Sequence, residues 1–190
     1  MTDETPGSGA RVLVVEDERT LAEMYASWLA EEYDVETAHD GEAALGAYDA
    51  GVDVVLLDRR LPGITGDDVL EHIRETGDEC RVAMVSAVTP DFDIYGMGFD
   101  DYLVKPVSRE ELLDLVERMR RVNDYEEGLG RYFALSSKLA LLRSHRTEAE
   151  LAESEVYAEL RAELDELDRE LTEVIGEMST SDIGAVLRDA

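Results

Sequence analysis

Residues 54–66, VVLLDRRLPGITG, constrain the fold of this chain more than any other stretch. Four apolar residues run without interruption into Asp58, and a turn rich in Pro and Gly follows. Such a run is typical of a strand that is buried on both faces, as in a parallel sheet. Asp58 would then stand at the carboxyl end of the strand, the edge at which open α/β sheets bind ligands. A carboxylate there can be a nucleophile, a metal ligand or a helix cap.

Four other runs with strand character alternate with stretches of helical periodicity along the first two thirds of the chain. The predicted strands are residues 11–15, 33–38, 52–57, 81–85 and 102–104. The predicted helices are residues 19–32, 41–48, 67–76 and 91–97, and one that begins with a capping box of Ser108 and Glu111. This alternation predicts an α/β fold, a doubly wound five-stranded parallel sheet.

Reactive side chains follow four of the five predicted strands. Glu16 and Asp17 follow the first strand, Asp58 the third, Ser86 the fourth and Lys105 the fifth. Because parallel strands end at the same edge of a sheet, we expect these groups to lie together. Each group alone also has a structural interpretation: acids near a helix N-terminus, an Asp in a turn, a Ser cap or a Lys at a strand end.

Four motifs carry a family resemblance: VLVVEDE, VVLLDRRLPGITG, MVSA and DDYLVKP, in this order. With them, residues 10–124 resemble the receiver domain of two-component response regulators, the CheY-like fold with strand order 2-1-3-4-5. The resemblance implies that Asp58 is the phosphoacceptor and that Mg²⁺ is the cofactor. It also implies the metal ligands, which would be Asp17, Asp58, the main-chain carbonyl of Arg60 and, through water, Glu16.

The resemblance further implies that Ser86 hydrogen-bonds the phosphoryl group, that Lys105 pairs with it and that Tyr102 is a switch residue. A carboxylate that accepts a phosphoryl group is an anion attacking an anion, so positioning and charge neutralisation have to supply the catalysis. The new charge would draw Ser86 toward it, and Tyr102 would turn into the vacated space. An aromatic residue in a strand can equally be part of the core.

The character of the chain changes past residue 124. We predict a break or hinge at residues 125–130, a helix over 131–143, a turn at 144–147, a long helix over 148–176 and a short one over 181–188. The long helix carries a heptad seam of Tyr157, Leu160, Leu164, Leu167, Leu171, Val174 and Met178. We therefore expect an α-helical hairpin or coiled coil, similar to the HalX extension of haloarchaeal regulators. The predicted organisation is a mobile N-terminus (1–9), a receiver domain (10–124) and a helical extension (125–190).

The composition limits the classes of partner. The net charge is −28, and only two of the 18 basic residues are Lys, which suggests a halophilic protein whose melting temperature rises with KCl. Residues 125–190 hold 16 acids and seven bases, so direct DNA binding is disfavoured. No apolar stretch predicts a signal peptide or a membrane span, and we expect a cytoplasmic protein. The expected partners are a sensor histidine kinase and an unknown downstream protein, and a second copy of the chain is a further candidate.

The preferred function is that of a response regulator, not an enzyme, which switches protein contacts or transcriptional output. One alternative is a Mg²⁺-dependent phosphatase with an aspartyl nucleophile, of the haloacid-dehalogenase type. Such enzymes usually place a second acid two residues after the nucleophile, where this chain has Arg60, and their nucleophile ends the first strand of the motif. The other alternative is a receiver scaffold that works without phosphorylation.

Overall fold

The computed structural model describes residues 9–77, 80–89 and 96–177 of the 190-residue chain. The chain divides into two compact units, Met1–Arg120 and Arg121–Ala190. The elements in chain order are β1 (Arg11–Val15), α1 (Arg19–Leu29), β2 (Asp34–Ala38), α2 (Gly41–Ala47), β3 (Val54–Leu57), α3 (Gly66–Thr76), β4 (Arg81–Ser86), β5 (Asp101–Val104), α4 (Arg109–His145), α5 (Glu148–Ala152) and α6 (Glu155–Glu177). The domain division at residue 124 stays a prediction.

The first unit contains a parallel sheet of five strands in the order β2-β1-β3-β4-β5, which confirms the predicted fold class. The central strands β3 and β4 are buried over their whole length, as their apolar sequences predict. Burial alternates along β2, where acids alternate with apolar residues, and this strand lies at one edge. β5 forms the other edge.

Each face of the sheet carries its own apolar core because successive side chains of a strand point to opposite faces. On one face, Leu13 and Val15 of β1 belong to a cluster that also contains Val69, Leu70 and Ile73 of α3. On the other face, Val12 and Val14 belong to a cluster with Tyr25 and Leu29 of α1 and with Leu112, Leu115 and Val116 of α4. The helices thus cover both faces of the sheet.

Side-chain caps mark the beginnings of several helices. The predicted capping box at Ser108 is confirmed: its hydroxyl accepts from the Glu111 amide at 3.2 Å, and the Ser108 amide donates to the Glu111 carboxylate at 2.9 Å. A second capping box, of Thr65 and Asp68, begins α3, and Gly77 ends that helix with a φ of 73°.

The second unit contains an antiparallel helical hairpin, as predicted. Along α4, Gly128 lies against Leu171, Arg131 pairs with Glu163, and Arg143 donates to Tyr157. Residue numbers therefore increase along α4 as those of their partners in α6 decrease, which shows that the two helices are antiparallel. The heptad seam of α6 supplies the buried Leu167 and Leu171.

Two details of the prediction for this unit are wrong. Residues 125–130 do not form a break, because α4 continues through them as part of a 37-residue helix. Glycine in a helix interior costs only about 1 kcal/mol, and Gly128 recovers packing by letting Leu171 approach. Conversely, the helix predicted over residues 148–176 is interrupted between α5 and α6, where the Ser154 hydroxyl accepts from the Tyr157 amide at 3.2 Å.

Three predictions concern segments outside the described residues. They are the mobile N-terminus, the greater part of the helix over residues 91–97 and the short helix over residues 181–188. Met178, the last predicted position of the heptad seam, also lies outside them.

Candidate functional site

Asp58 follows directly after β3, and its side chain is held at both oxygens. The residue is only 7% exposed. Its Oδ1 accepts from the Ser86 hydroxyl at 2.8 Å and from the Arg60 amide at 2.9 Å. Its Oδ2 accepts from the ammonium group of Lys105. The carboxylate is therefore oriented by one hydroxyl, one amide and one positive charge.

The register of the sheet brings these groups together. Leu57 of β3 lies opposite Val15 of β1 and Met84 of β4. The residues that follow these three strands therefore lie together at the edge formed by the carboxyl ends of the strands. The amide of Lys105 donates to the Ser86 carbonyl at 3.0 Å, which ties the end of β5 to the end of β4. The predicted gathering of Glu16, Asp58, Ser86 and Lys105 at one sheet edge is what the structure shows.

Glu16 and Lys105 form a buried ion pair beside Asp58. Glu16 is 3% exposed and accepts from the Lys105 ammonium group. Burial raises the pKa of Glu16, and the hydrogen bond from Lys105 opposes that rise only in part. Burial by itself would lower the pKa of Lys105, but its hydrogen bonds to Asp58 and Glu16 outweigh burial and raise it. Lys105 therefore carries its charge in the site.

Three carboxylates meet next to this lysine. Oxygens of Glu16, Asp17 and Asp58 all lie within 4.8 Å of one another, and Asp17 is the exposed member of the group. Hard oxygen donors at this spacing, with one side open to solvent, fit a magnesium ion that keeps several waters. The amide of Arg60 is engaged by Asp58, while the contribution of its carbonyl to a metal site stays a prediction.

Tyr102 lies half-buried in β5, next to the loop that follows Ser86. Its hydroxyl donates to the Val88 carbonyl at 2.5 Å, and its ring packs edge-on against Phe99 at 5.6 Å between centroids. Burial raises the pKa of the phenol, so the group stays a hydrogen-bond donor at neutral pH. The Val88 amide in turn lies 3.4 Å from the Ser86 hydroxyl oxygen. Tyr102 thus contacts the loop of Ser86 and also packs on the core.

Three further residues shape the site, and two of them, His39 and Gly66, were not predicted to do so. Arg59 is paired with Asp67 at 3.1 Å, and a ring nitrogen of His39 lies 3.1 Å from the Glu16 carbonyl oxygen. A Cβ at Gly66 would overlap the carbonyl of Asp58, so only glycine fits there. The Pro- and Gly-rich turn was the available signal for Gly66, whereas no local pattern marks the partners of Arg59 and His39.

Within the described parts of the chain, every helix is too short or too polar to span a bilayer.

The chain matches two family models that together cover most of its length. Residues 12–117 match the response regulator receiver domain, and residues 121–187 match the HalX domain. The first match alone spans more than half of the 190 residues.

Curated relatives match the receiver part of the chain, and one of these matches extends beyond it. A Haloferax volcanii protein named as a candidate transcriptional regulator is 53% identical over 155 residues, which are 81% of this chain and 26% of that protein. The sensory transduction protein RegX3 of Mycobacterium tuberculosis is 41% identical over 58% of this chain and 50% of its own length. The chain thus spans about a quarter to a half of these relatives.

Solved structures match the same part of the chain. The receiver domain of DrrB, activated with BeF₃, is 30% identical and covers 58% of this chain and 97% of its own, with a TM-score of 0.55. TrrA of Thermotoga maritima, solved in complex with Mg²⁺ and BeF, is 32% identical with the same coverage of this chain, 98% of its own and a TM-score of 0.52.

Sheet order, the residues at the sheet edge and the match over residues 12–117 lead to one conclusion. The chain belongs to the response regulator receiver family and carries a HalX domain after its receiver domain.

Proposed function

We propose that this protein is a phosphorylation-controlled regulator in which Asp58 accepts a phosphoryl group from the phosphohistidine of a sensor histidine kinase. The observation that carries the proposal is the environment of the Asp58 carboxylate, where Ser86 holds one oxygen and Lys105 the other. In the transfer, an O–P bond to Asp58 forms as the P–N bond of the donor breaks. The site has to position the carboxylate and to neutralise the charge that gathers there.

Lys105 supplies the fixed positive charge. Its ammonium group already contacts Asp58 and Glu16, and its flexible stem lets it follow the phosphoryl oxygens. Glu16 keeps this charge at the sheet edge when Asp58 is phosphorylated. Ser86 would release the Asp58 oxygen, and its hydroxyl would donate a hydrogen bond to the phosphoryl group instead.

Glu16, Asp17 and Asp58 would hold Mg²⁺, with the Arg60 carbonyl as a further ligand. The spacing and the hard oxygen donors of the three carboxylates support this assignment. When bound, the ion offsets the negative charge of both the carboxylates and the incoming phosphoryl group. The relative TrrA was solved with Mg²⁺ and BeF, which supports the same assignment.

Tyr102 would report the state of Ser86 to the surface of β5. Its hydroxyl bonds to Val88, two residues after Ser86, so movement of Ser86 changes the carbonyl that holds the tyrosine. The result is a two-state switch that a local change of charge biases. The output would be altered protein contacts or transcription, as the name of the Haloferax relative suggests.

The test is intact mass after incubation with Mg²⁺ and acetyl phosphate in concentrated KCl. Wild type should gain one phosphoryl group and Asp58→Asn none, while the control Asp165→Asn, at an exposed position of α6, should be labelled like wild type. Failure to label the folded wild type would support a scaffold that works without phosphorylation.

The same samples test the phosphatase alternative. Steady turnover of a generic phosphoester that Asp58→Asn abolishes would contradict the proposal. Arg60, rather than an acid, stands two residues after Asp58, and for that reason we expect no such turnover.

A further inference from the structure

Helix α4 presents a second, uncharged face on the side opposite its contact with α6. We call it the outer face of α4; its members are Gly130, Phe133, Ala134, Ser137, Ala140, Leu141 and Ser144, which share one side of the helix at 100° per residue. All of them are exposed, and Phe133 and Leu141 are each 62% exposed. Two large, exposed apolar side chains on an uncharged face mark this face as a candidate interaction surface.

The hairpin does not use this face. The buried residues of α4 in this region, Leu135 and Leu139, lie on the opposite side of the helix, the side on which Gly128 meets Leu171 of α6. The outer face is therefore additional to the seam predicted from the heptad pattern.

Two glycines of α4, one on each face, differ in what surrounds them. A Cβ at Gly128 would lie 3.0 Å from a methyl group of Leu171, so this glycine serves the close approach of α6. A Cβ at Gly130 would meet nothing within 4 Å. Glycine in a helix interior costs about 1 kcal/mol relative to alanine. Within the described hairpin, nothing offsets that cost at Gly130, whereas close approach of another backbone would.

The charge distribution selects the kind of partner. Residues 128–147 contain no Asp or Glu, although acids make up 46 of the 190 residues of the chain. The same stretch holds four bases: Arg131, Lys138, Arg143 and Arg146. Two copies of a chain with a net charge of −28 repel each other over most of their surfaces. At this stretch, two copies can meet without bringing carboxylates of α4 together.

The outer face is also complementary to itself. If two such helices cross antiparallel at Ser137, Phe133 of one lies level with Leu141 of the other. Ala134 is then level with Ala140, and Gly130 with Ser144. Every member of the face finds its counterpart within the face, as an isologous two-fold contact requires. The small pairs allow the backbones to approach, and the large pairs fill the remaining space.

We propose that the outer face of α4 is the contact surface between two copies of this chain, which pair antiparallel about a two-fold axis at Ser137. The face spans 15 residues, or about 22 Å of helix. One helix face of this length buries less than the roughly 800 Å² that each partner contributes to a standard interface. We therefore expect a reversible dimer whose population rises with protein concentration.

Sedimentation equilibrium of the full chain, from micromolar to millimolar concentration in concentrated KCl, tests the proposal. Wild type should shift from monomer toward dimer, and the double variant Phe133→Glu/Leu141→Glu should stay monomeric. The control Val156→Glu adds a charge at an equally exposed apolar position of α6 and should dimerise like wild type. Circular dichroism verifies that each variant is folded. A wild type that is monomeric throughout, or a double variant that still dimerises, would overturn the proposal.

Cross-linking tests the axis itself. Under mild oxidation, Ser137→Cys should give a covalent dimer, because its two copies meet at the two-fold axis. The control Ala158→Cys, at an exposed position of α6, should not. Cys80 does not compete, because burial raises the pKa of its thiol to about 12. Equal cross-linking of the two variants, or none at Ser137→Cys, would contradict an axis at this position.

Discussion

The two units of this protein reach order by different routes. In the receiver unit, strands such as β3 and β4 are buried at every residue, and even the acids Glu16 and Asp58 are less than a tenth exposed. In the helical unit, one stripe of each long helix is covered, and none of the five residues of α5 is buried. The first unit is a packed core with a cluster of carboxylates at its edge, whereas the second is a pair of helices whose outer sides are exposed.

This difference explains why a cluster of reactive side chains can form in the first unit and an extended contact surface in the second. Glu16 and Lys105 are 89 residues apart in sequence, and only the sheet brings them together. A hairpin offers no comparable convergence, since its helices meet along a line. It does offer extended faces, and one of them can bind a second chain without disturbing the fold.

Two substitutions that each create a cavity, one in each unit, provide the strongest test of this contrast. Leu57 of β3 and Leu139 of α4 are both almost fully buried. We expect Leu57→Ala to cost about 3–5 kcal/mol, because the sheet and its helices cannot collapse into the cavity, and Leu139→Ala to cost less. Urea unfolding followed by the fluorescence of Trp28, the only tryptophan, reports the receiver unit, and far-UV circular dichroism reports the helices. Equal costs would remove the contrast.

Magnesium should stabilise only the unit that holds the acidic cluster. At a concentration 100-fold above its dissociation constant, a ligand specific for the folded state adds about 2.7 kcal/mol. We expect this gain in the Trp28 transition of wild type and of Asp165→Asn, and a much smaller gain in Asp17→Asn. Titration with chelator should reverse it. A gain of the same size in Asp17→Asn would contradict the metal assignment.

Capping boxes occur in both units, and those of α3 and α5 permit a smaller comparison. The Thr65 hydroxyl accepts from the Asp68 amide at the start of α3, and the Thr147 hydroxyl accepts from the Glu150 amide at the start of α5. Loss of such a cap costs about 1 kcal/mol where the helix is docked. Thr65→Ala should therefore lower the unfolding free energy by that amount, and Thr147→Ala by less, since α5 buries nothing. A larger loss for Thr147→Ala would show that α5 is more firmly packed than its exposure indicates.

The smallest expected effect is an acid dependence of the same caps. Hydrogen bonds from Thr65 lower the pKa of Asp68 below its usual 3.8, and those from Thr147 lower the pKa of Glu150 below 4.5. Because the folded state binds these protons less tightly, the stabilisation is present above the usual pKa and disappears as the pH falls through the lowered one. Asp68→Asn and Glu150→Gln should each flatten the acid side of the stability profile. Profiles that superimpose on wild type would exclude this contribution.

Much of the receiver unit could be predicted because its signals are local. The apolar run before Asp58, the alternation in β2 and the Ser108 capping box each depend on a few neighbouring residues. The continuous α4 could not be predicted, because Gly128 weakens a helix locally and is accommodated only by its contact with Leu171. The pairing of Arg59 with Asp67 and the contact between His39 and Glu16 were likewise invisible, since side-chain reach across a turn or between strands leaves no periodic trace.

By itself, the sequence determined which segments are strands and which edge of the sheet carries the reactive groups, because hydrophobic period and chain order suffice for these. It also marked the heptad seam of the long helix, but left open whether that seam packs on the preceding helix or on another chain. Only the tertiary structure decided that Lys105 contacts Glu16 as well as Asp58, that Ser86 holds the second oxygen of Asp58, and that the outer face of α4 is exposed. The physical reason is that contact distances and exposure depend on how separate elements pack, and packing is a property of the whole fold rather than of any one segment.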